Sequence, residues 1–207
     1  MNKEKITDYF VDVKSLVPDI VVDLAYAKDE NFVGCVIDGY QTNIAYLTHD
    51  AAMALAQVQT RLSHWGLGLK VWDAYRPQRA VNHFIRWAED DSDEKNKQRY
   101  YPNLSKQEIF DQGYIMKRSA HSRGSTVDLT IIELNTERSL DMGANFDFFG
   151  PISWPHTPLV SAQQKSNRLL LHNLMIQAGF LSYSKEWWHF TLSNEPFSDL
   201  YFNFKIK

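Results

Sequence analysis

A single cysteine, Cys35, stands in the 207 residues, so no disulfide can form within the chain. The fold must rest on its apolar core and hydrogen bonds, which suits a reducing compartment. No apolar run approaches the ~20 residues needed to cross a bilayer. "MNKEKITDYF" (1–10) has lysines but no apolar stretch behind them, so an export leader is not expected either. Charge of one sign is also missing: 22 Lys and Arg against 25 Asp and Glu leave a net charge of −3, with no footprint for nucleic acid or an anionic membrane. Internal repeats and low-complexity linkers are absent. These exclusions leave a soluble, cytoplasmic protein without nucleic-acid or membrane partners as the expectation.

What is present is ordinary for one globular domain. Hydrophobic residues at 44% and charged residues at 23% argue against disorder, and the length suits a single domain over 1–207 with a sizeable core. The abundant aromatics are expected to fill that core. "DIVVDLAYA" (19–27) is β-branched and reads as a strand, followed by a loop over 29–40. From Thr48 to Trp65, Leu55, Val58 and Leu62 recur at helical spacing, with Thr48 as cap and Gly66 as stop. "LKVWDAY" (69–75) reads as a buried strand, and Pro77 opens a helix to about Glu89. The mixed charge run 89–99 is a solvated loop. Ser105 and Glu108 form a capping box for a short helix ending near Gly113. "STVDLTIIEL" (125–134) is a strand with a largely polar face carrying Asp128. The segment 142–158 is a long loop, a helix runs from Ser161 to Ala178 and stops at Gly179, and 180–192 is a hairpin-like strand pair. Helices and strands mix without a βαβ alternation, so the fold class is α+β with a mostly antiparallel central sheet flanked by helices.

Chemistry concentrates in "HSRGSTVD" (121–128), which sets His121 at the mouth of a strand that carries Asp128. A catalytic zinc takes three ligands from His, Asp or Glu and leaves a fourth position for water. His189 of "KEWWH" is the best third candidate, because Glu186 lies three residues before it. A carboxylate that does not ligate can take the proton from the attacking water. Side chains three apart on a regular strand point to opposite faces, so Glu186 joins His189 only from a turn or a bulge. Taken singly, each histidine is an ordinary hydrogen-bonded residue and Trp187–Trp188 is packing; the joint pattern is what favours a site. Of the other histidines, His49, His64, His83 and His172 suit helix caps or solvated faces, while His156 stays open as a ligand. The sequence neighbours of Cys35 give no sign of an activated thiol. Arg76, between the 69–75 strand and Pro77, is either a surface arginine paired with Asp73 or a guanidinium fixed over a cleft to hold a carbonyl or oxyanion. In the second case its loss is expected to cost turnover and spare folding.

"VWDAYRPQRA", "SAHSRGSTVDLT", "EWWHF" and "DLAYAKDENFVG…DGY" together resemble the VanX-type D-alanyl-D-alanine dipeptidases, zinc enzymes related to D,D-carboxypeptidases and to the hedgehog signalling domain. The likeness runs from about residue 18 to the C-terminus and includes "RYYPNLSK" and "MGANFDFFG"; residues 151–167 depart from the family pattern. It implies one Zn²⁺ per chain on His121, Asp128 and His189, in a cleft on the sheet. It makes Glu186 the general base and later the acid toward the leaving amine, and Arg76 the group that polarises the scissile carbonyl. Ser119 would help bind the substrate's amino end, and Tyr26 would line the pocket. The implied reaction is hydrolysis of the small dipeptide D-Ala-D-Ala, for glycopeptide resistance or for wall-component recycling. The alternatives are a D,D-carboxypeptidase acting on longer peptidoglycan peptides and a non-catalytic zinc-bearing interaction domain.

Overall fold

Alternating apolar residues in the 67–73 and 126–133 segments put two buried strands at the centre of the molecule. A computed structural model describes residues 9–207; the expected absence of an export leader lies outside them for residues 1–8. The strands are β1 (Phe10–Asp12), β2 (Val21–Val22), β3 (Tyr46–Thr48), β4 (Leu67–Asp73), β5 (Thr126–Glu133), β6 (Phe180–Tyr183) and β7 (Glu186–Leu192). Five of them form a sheet in the order β2-β4-β5-β7-β6, and β1 pairs with β3 in a separate ribbon. Only β2 runs parallel to its neighbour, so the sheet is mostly antiparallel and the class is α+β.

Helix His49–Ser63 packs Leu55, Val58 and Leu62, all fully buried, against β4. Helix Ala162–Gln177 lies on β6 and β7 and touches the first helix. Its Ser161 cap and Gln164 form a capping box, as Ser105 and Glu108 do for the short helix Lys106–Asp111. The Pro77 helix spans Gln78–Ala88 and turns Val81, Phe84 and Trp87 inward. Among the described residues no helix is long and apolar enough to cross a membrane.

Two expectations need correction. The 19–27 segment is a strand only at Val21–Val22, and Ala25–Ala27 is a 3-10 turn. The Leu24 N–H donates to Asn43 Oδ1 at 2.7 Å instead of to a strand, and the chain leaves the sheet there. The polar face of β5 is polar in composition only: every residue from Thr126 to Ile132 is buried. The aperiodic loop 142–158 is held because the buried Arg168 guanidinium donates to the carbonyls of Met142, Trp154 and Ile152.

The last segment of the chain straps three loops together. Phe202 N–H donates to Ser122 O and its carbonyl accepts from Gln78 N, while Arg79 binds Asn203 and Ile206 N–H donates to Gly39 O. Phe204 stacks on Tyr75, ring centroids 4.1 Å apart.

Candidate functional site

Strand pairing alone brings the first residues together. Asp73 of β4 is the register partner of Asp128 of β5, and Asp128 is the register partner of His189 of β7. The β4–β5 register slips between Val71 and Asp73, which makes room for Trp72. A larger irregularity separates β6 from β7: pairing passes from Ser182↔Phe190 to Tyr183↔Glu186, one step along β6 against four along β7. That bulge turns Glu186 back toward His189, and Glu186 Oε2 lies 3.5 Å from His189 Nδ1.

His121 comes from a 3-10 turn, Ala120–Arg123, that leads into β5. Ser119 caps the turn by accepting from the His121 N–H at 3.3 Å. Gly124 ends it at φ +88°, where a Cβ would collide with the Phe10 ring, so glycine is required on both conformational and steric grounds. His121 Nδ1 lies 2.7 Å from the Ala74 carbonyl, which can only accept. Nδ1 therefore carries the proton and Nε2 offers its lone pair to the site.

His121, Asp128 and His189 each offer one ligand atom, all within 4.8 Å of one another. His121 Nε2 is 3.3 Å from His189 Nδ1 and 3.2 Å from Asp128 Oδ2, and His189 Nδ1 is 3.0 Å from Asp128 Oδ1. A tetrahedral ion with bonds of about 2.0–2.1 Å would separate its ligand atoms by about 3.3–3.4 Å. The donor set fits such an ion in chemistry and in spacing. Asp128 Oδ1 is also buried without a hydrogen-bond partner, which leaves an acceptor open for a cation. Burial alone would raise the Asp128 pKa, but His121 and His189 outweigh it and hold the carboxyl below its usual range.

Arg76 is not a surface residue. Its side chain is 13% exposed, and Nε donates to Asp73 Oδ2 at 2.8 Å while Nη2 reaches Asp128 Oδ2 at 3.5 Å. The guanidinium sits 5.0 Å from the Tyr26 ring centroid and 5.2 Å from that of Phe84. The pairing with Asp73 and the position over a cleft, alternatives in the sequence, are both present. Tyr40 completes the support by donating to Asp73 Oδ1 at 2.6 Å. The backbone of Arg76 donates to His121 O, which ties the arginine to the histidine turn.

These side chains open into a pocket of about 250 Å³ that is also lined by Tyr26, Ser119 and Asp147. Burial raises the Glu186 carboxyl to about 7, against the opposing pull of His189. Asp147 is 5% exposed and accepts from the Tyr26 hydroxyl at 2.9 Å. Burial, and then the charge of Asp128, push its pKa well up. It sits at φ 60°, an uncommon conformation for a residue with a side chain, in the loop that roofs the pocket. His156 is exposed and stands beside His172, 6.1 Å between ring centroids, away from this cluster. Cys35 does have an imidazole neighbour: the fold brings His83 Nε2 to 3.8 Å from its sulfur, a proximity that its sequence neighbours do not reveal.

Two residues that build the site, Asp73 behind Arg76 and Asp147 in the pocket wall, escape a reading of the sequence. Asp73 reads there only as the surface partner of Arg76, although its place at the end of a buried strand is a signal for an inward carboxylate. Asp147 lies in an aperiodic loop and carries no local signal.

The chain matches the family model Peptidase_M15, described as D-ala-D-ala dipeptidase, over residues 6–207. A D-alanyl-D-alanine dipeptidase of Streptomyces coelicolor is 44% identical over 97% of this chain and 99% of its own length. One of Enterococcus faecalis is 42% identical over 89% of this chain and 91% of its own. One of Enterococcus faecium is 38% identical over 96% and 98%.

Proposed function

Because this chain belongs to the Peptidase_M15 family of D-Ala-D-Ala dipeptidases, we propose that it hydrolyses D-alanyl-D-alanine to two D-alanines, with one zinc ion held by His121, Asp128 and His189. The observation that carries the reading is the convergence of those three ligand atoms within 4.8 Å beside the largely buried Glu186, whose Oε2 lies 3.5 Å from His189 Nδ1. When bound there, zinc supplies Lewis acidity, which makes water acidic enough to deprotonate near neutrality and polarises a carbonyl.

The residues of the chain do the rest. Glu186, its carboxyl held near 7 by burial, accepts the proton of the attacking water and passes it to the leaving amine. Arg76, fixed by Asp73, directs its guanidinium at the oxygen that gains charge as the carbonyl becomes tetrahedral. Asp147 is the acceptor for the substrate's ammonium, with Tyr26 holding that carboxylate in place. Ser119 Oγ already accepts from the His121 N–H, so the hydroxyl proton is free to donate. A donor suits the substrate's carboxylate better than the amino end that resemblance alone suggests.

A pocket of about 250 Å³ favours the free dipeptide over longer peptides, lying below the ~300–1,000 Å³ of sites for drug-sized ligands. A non-catalytic zinc domain has no use for a carboxylate base and a fixed arginine lining the same pocket. The activity belongs with turnover of cell-wall precursors, including their removal under glycopeptide antibiotics, in the reducing cytoplasm that a lone free thiol suits. The test is elemental analysis alongside hydrolysis of D-Ala-D-Ala, L-Ala-L-Ala and a pentapeptide ending in D-Ala-D-Ala. We expect about one zinc per chain, cleavage of the D,D-dipeptide alone, and loss of both metal and activity in His189→Ala. Full metal occupancy in His189→Ala, or faster cleavage of the pentapeptide, would contradict the proposal.

A further inference from the structure

We propose that Arg118 is a specificity residue that reads the free carboxylate of the substrate at the mouth of the pocket. The inference rests on the dipeptidase reading above and adds to it the end of the substrate that the catalytic groups leave unmatched.

A dipeptide at neutral pH is a zwitterion, so a pocket that selects it needs an anion for one end and a cation for the other. Asp147, almost fully buried and held by the Tyr26 hydroxyl, offers its carboxyl oxygens to the first end at depth, where an arriving ammonium favours its ionised form. Of the two arginines lining the pocket, Arg76 has its Nε and one Nη engaged by Asp73 and Asp128. Arg118 is different. It is exposed, and among the described residues no carboxylate lies within salt-bridge distance of it.

The guanidinium is nevertheless positioned. It lies over the Tyr201 ring, 4.9 Å from the centroid. Stacking uses the face of a guanidinium and leaves its N–H edge free to donate in a fork, the geometry that matches a carboxylate. Tyr201 is in turn flanked by Arg123, 5.8 Å from the same centroid, and Arg123 is locked by two 2.9 Å hydrogen bonds from its Nε to the carboxylate of Glu195. The platform is thus built from anchored parts. The next residue, Ser119, contributes the free hydroxyl donor described above. A forked cation beside a hydroxyl forms a receptor for a carboxylate and discriminates against a C-terminal amide or ester.

The experiment compares D-Ala-D-Ala with D-alanyl-D-alaninamide as substrates of the zinc-loaded enzyme. Its readout is the ratio of kcat/KM for the acid to that for the amide, which does not depend on how much of the enzyme is folded. The wild type should favour the acid. Arg118→Ala should lower the ratio roughly two- to fivefold, through KM for the acid, as expected for one solvent-accessible ion pair. Arg118→Lys should recover part of it, and added NaCl should weaken the wild-type preference. A ratio unaltered in Arg118→Ala, with the wild type active on the dipeptide, would overturn the role of Arg118 alone. A wild type that cleaves neither substrate would overturn the dipeptidase reading and this inference with it.

Discussion

Replacing Arg76 with alanine should damage stability and catalysis together, and a second substitution should separate the two losses. Arg76 pairs at 2.8 Å with Asp73, whose side chain is fully buried, and approaches Asp128 at 3.5 Å. Removing one member of a buried ion pair costs about 3–5 kcal/mol, because the other charge is left unmatched. Asp73 keeps its hydrogen bond from Tyr40, and burial already raises its pKa, so it can take up a proton when the arginine is gone. The loss should therefore fall near the lower end, about 3 kcal/mol, or a fall in Tm of roughly 6–12 °C for a chain of this size. Folding should thus not be spared, which differs from the expectation from sequence. Turnover should fall about a hundredfold or more, the usual consequence of losing one oxyanion donor. Asp73→Asn combined with Arg76→Ala removes the stranded charge. Calorimetry should then show most of the Tm restored, while kcat for D-Ala-D-Ala stays low. If turnover returns with the melting point, Arg76 acts only through the fold and its assignment to the carbonyl oxygen is wrong.

Glu186→Gln keeps shape and hydrogen bonding but cannot accept a proton, so kcat should fall about a hundredfold or more with zinc retained; wild-type turnover would remove Glu186 from the mechanism, and loss of metal would make it a ligand. Gly124→Ala should lower Tm by several degrees, because a left-handed residue with a Cβ costs about 1–3 kcal/mol before the collision with Phe10 is counted. An unchanged melting curve would show that the turn relaxes freely.

Legibility from sequence followed the range of the interactions. The capping box of Ser105 and Glu108 and the helix at 49–63 depend on neighbours in the chain, and both could be read directly. The proximity of His121, Asp128 and His189 spans 68 residues between the two histidines and could be inferred only from residue types and resemblance. The short strands β1 and β3 gave no periodic signal, since three residues are too few to establish one. Segment 19–27 misled because its β-branched composition is real, while the backbone is diverted by Asn43, a partner 19 residues away. Asp147 stayed hidden for the reason that makes it effective: it is held by a tyrosine 121 residues earlier in the chain, and its loop is pinned by Arg168.

Asp73, Asp128 and His189 sit side by side on three adjacent strands, in the middle of the sheet and on its rungs. Their spacing is set by the ladder of backbone hydrogen bonds and not by the conformation of a loop. This part of the site has no private way to loosen: opening it means breaking the cooperative unit that holds the core. Two of the three proposed metal ligands, Asp128 and His189, belong to this ladder, while His121 joins from the 3-10 turn Ala120–Arg123, so an ion at the site would add its binding energy to the stability of the core sheet through linkage. An ion held there would tie that turn to the middle of the sheet.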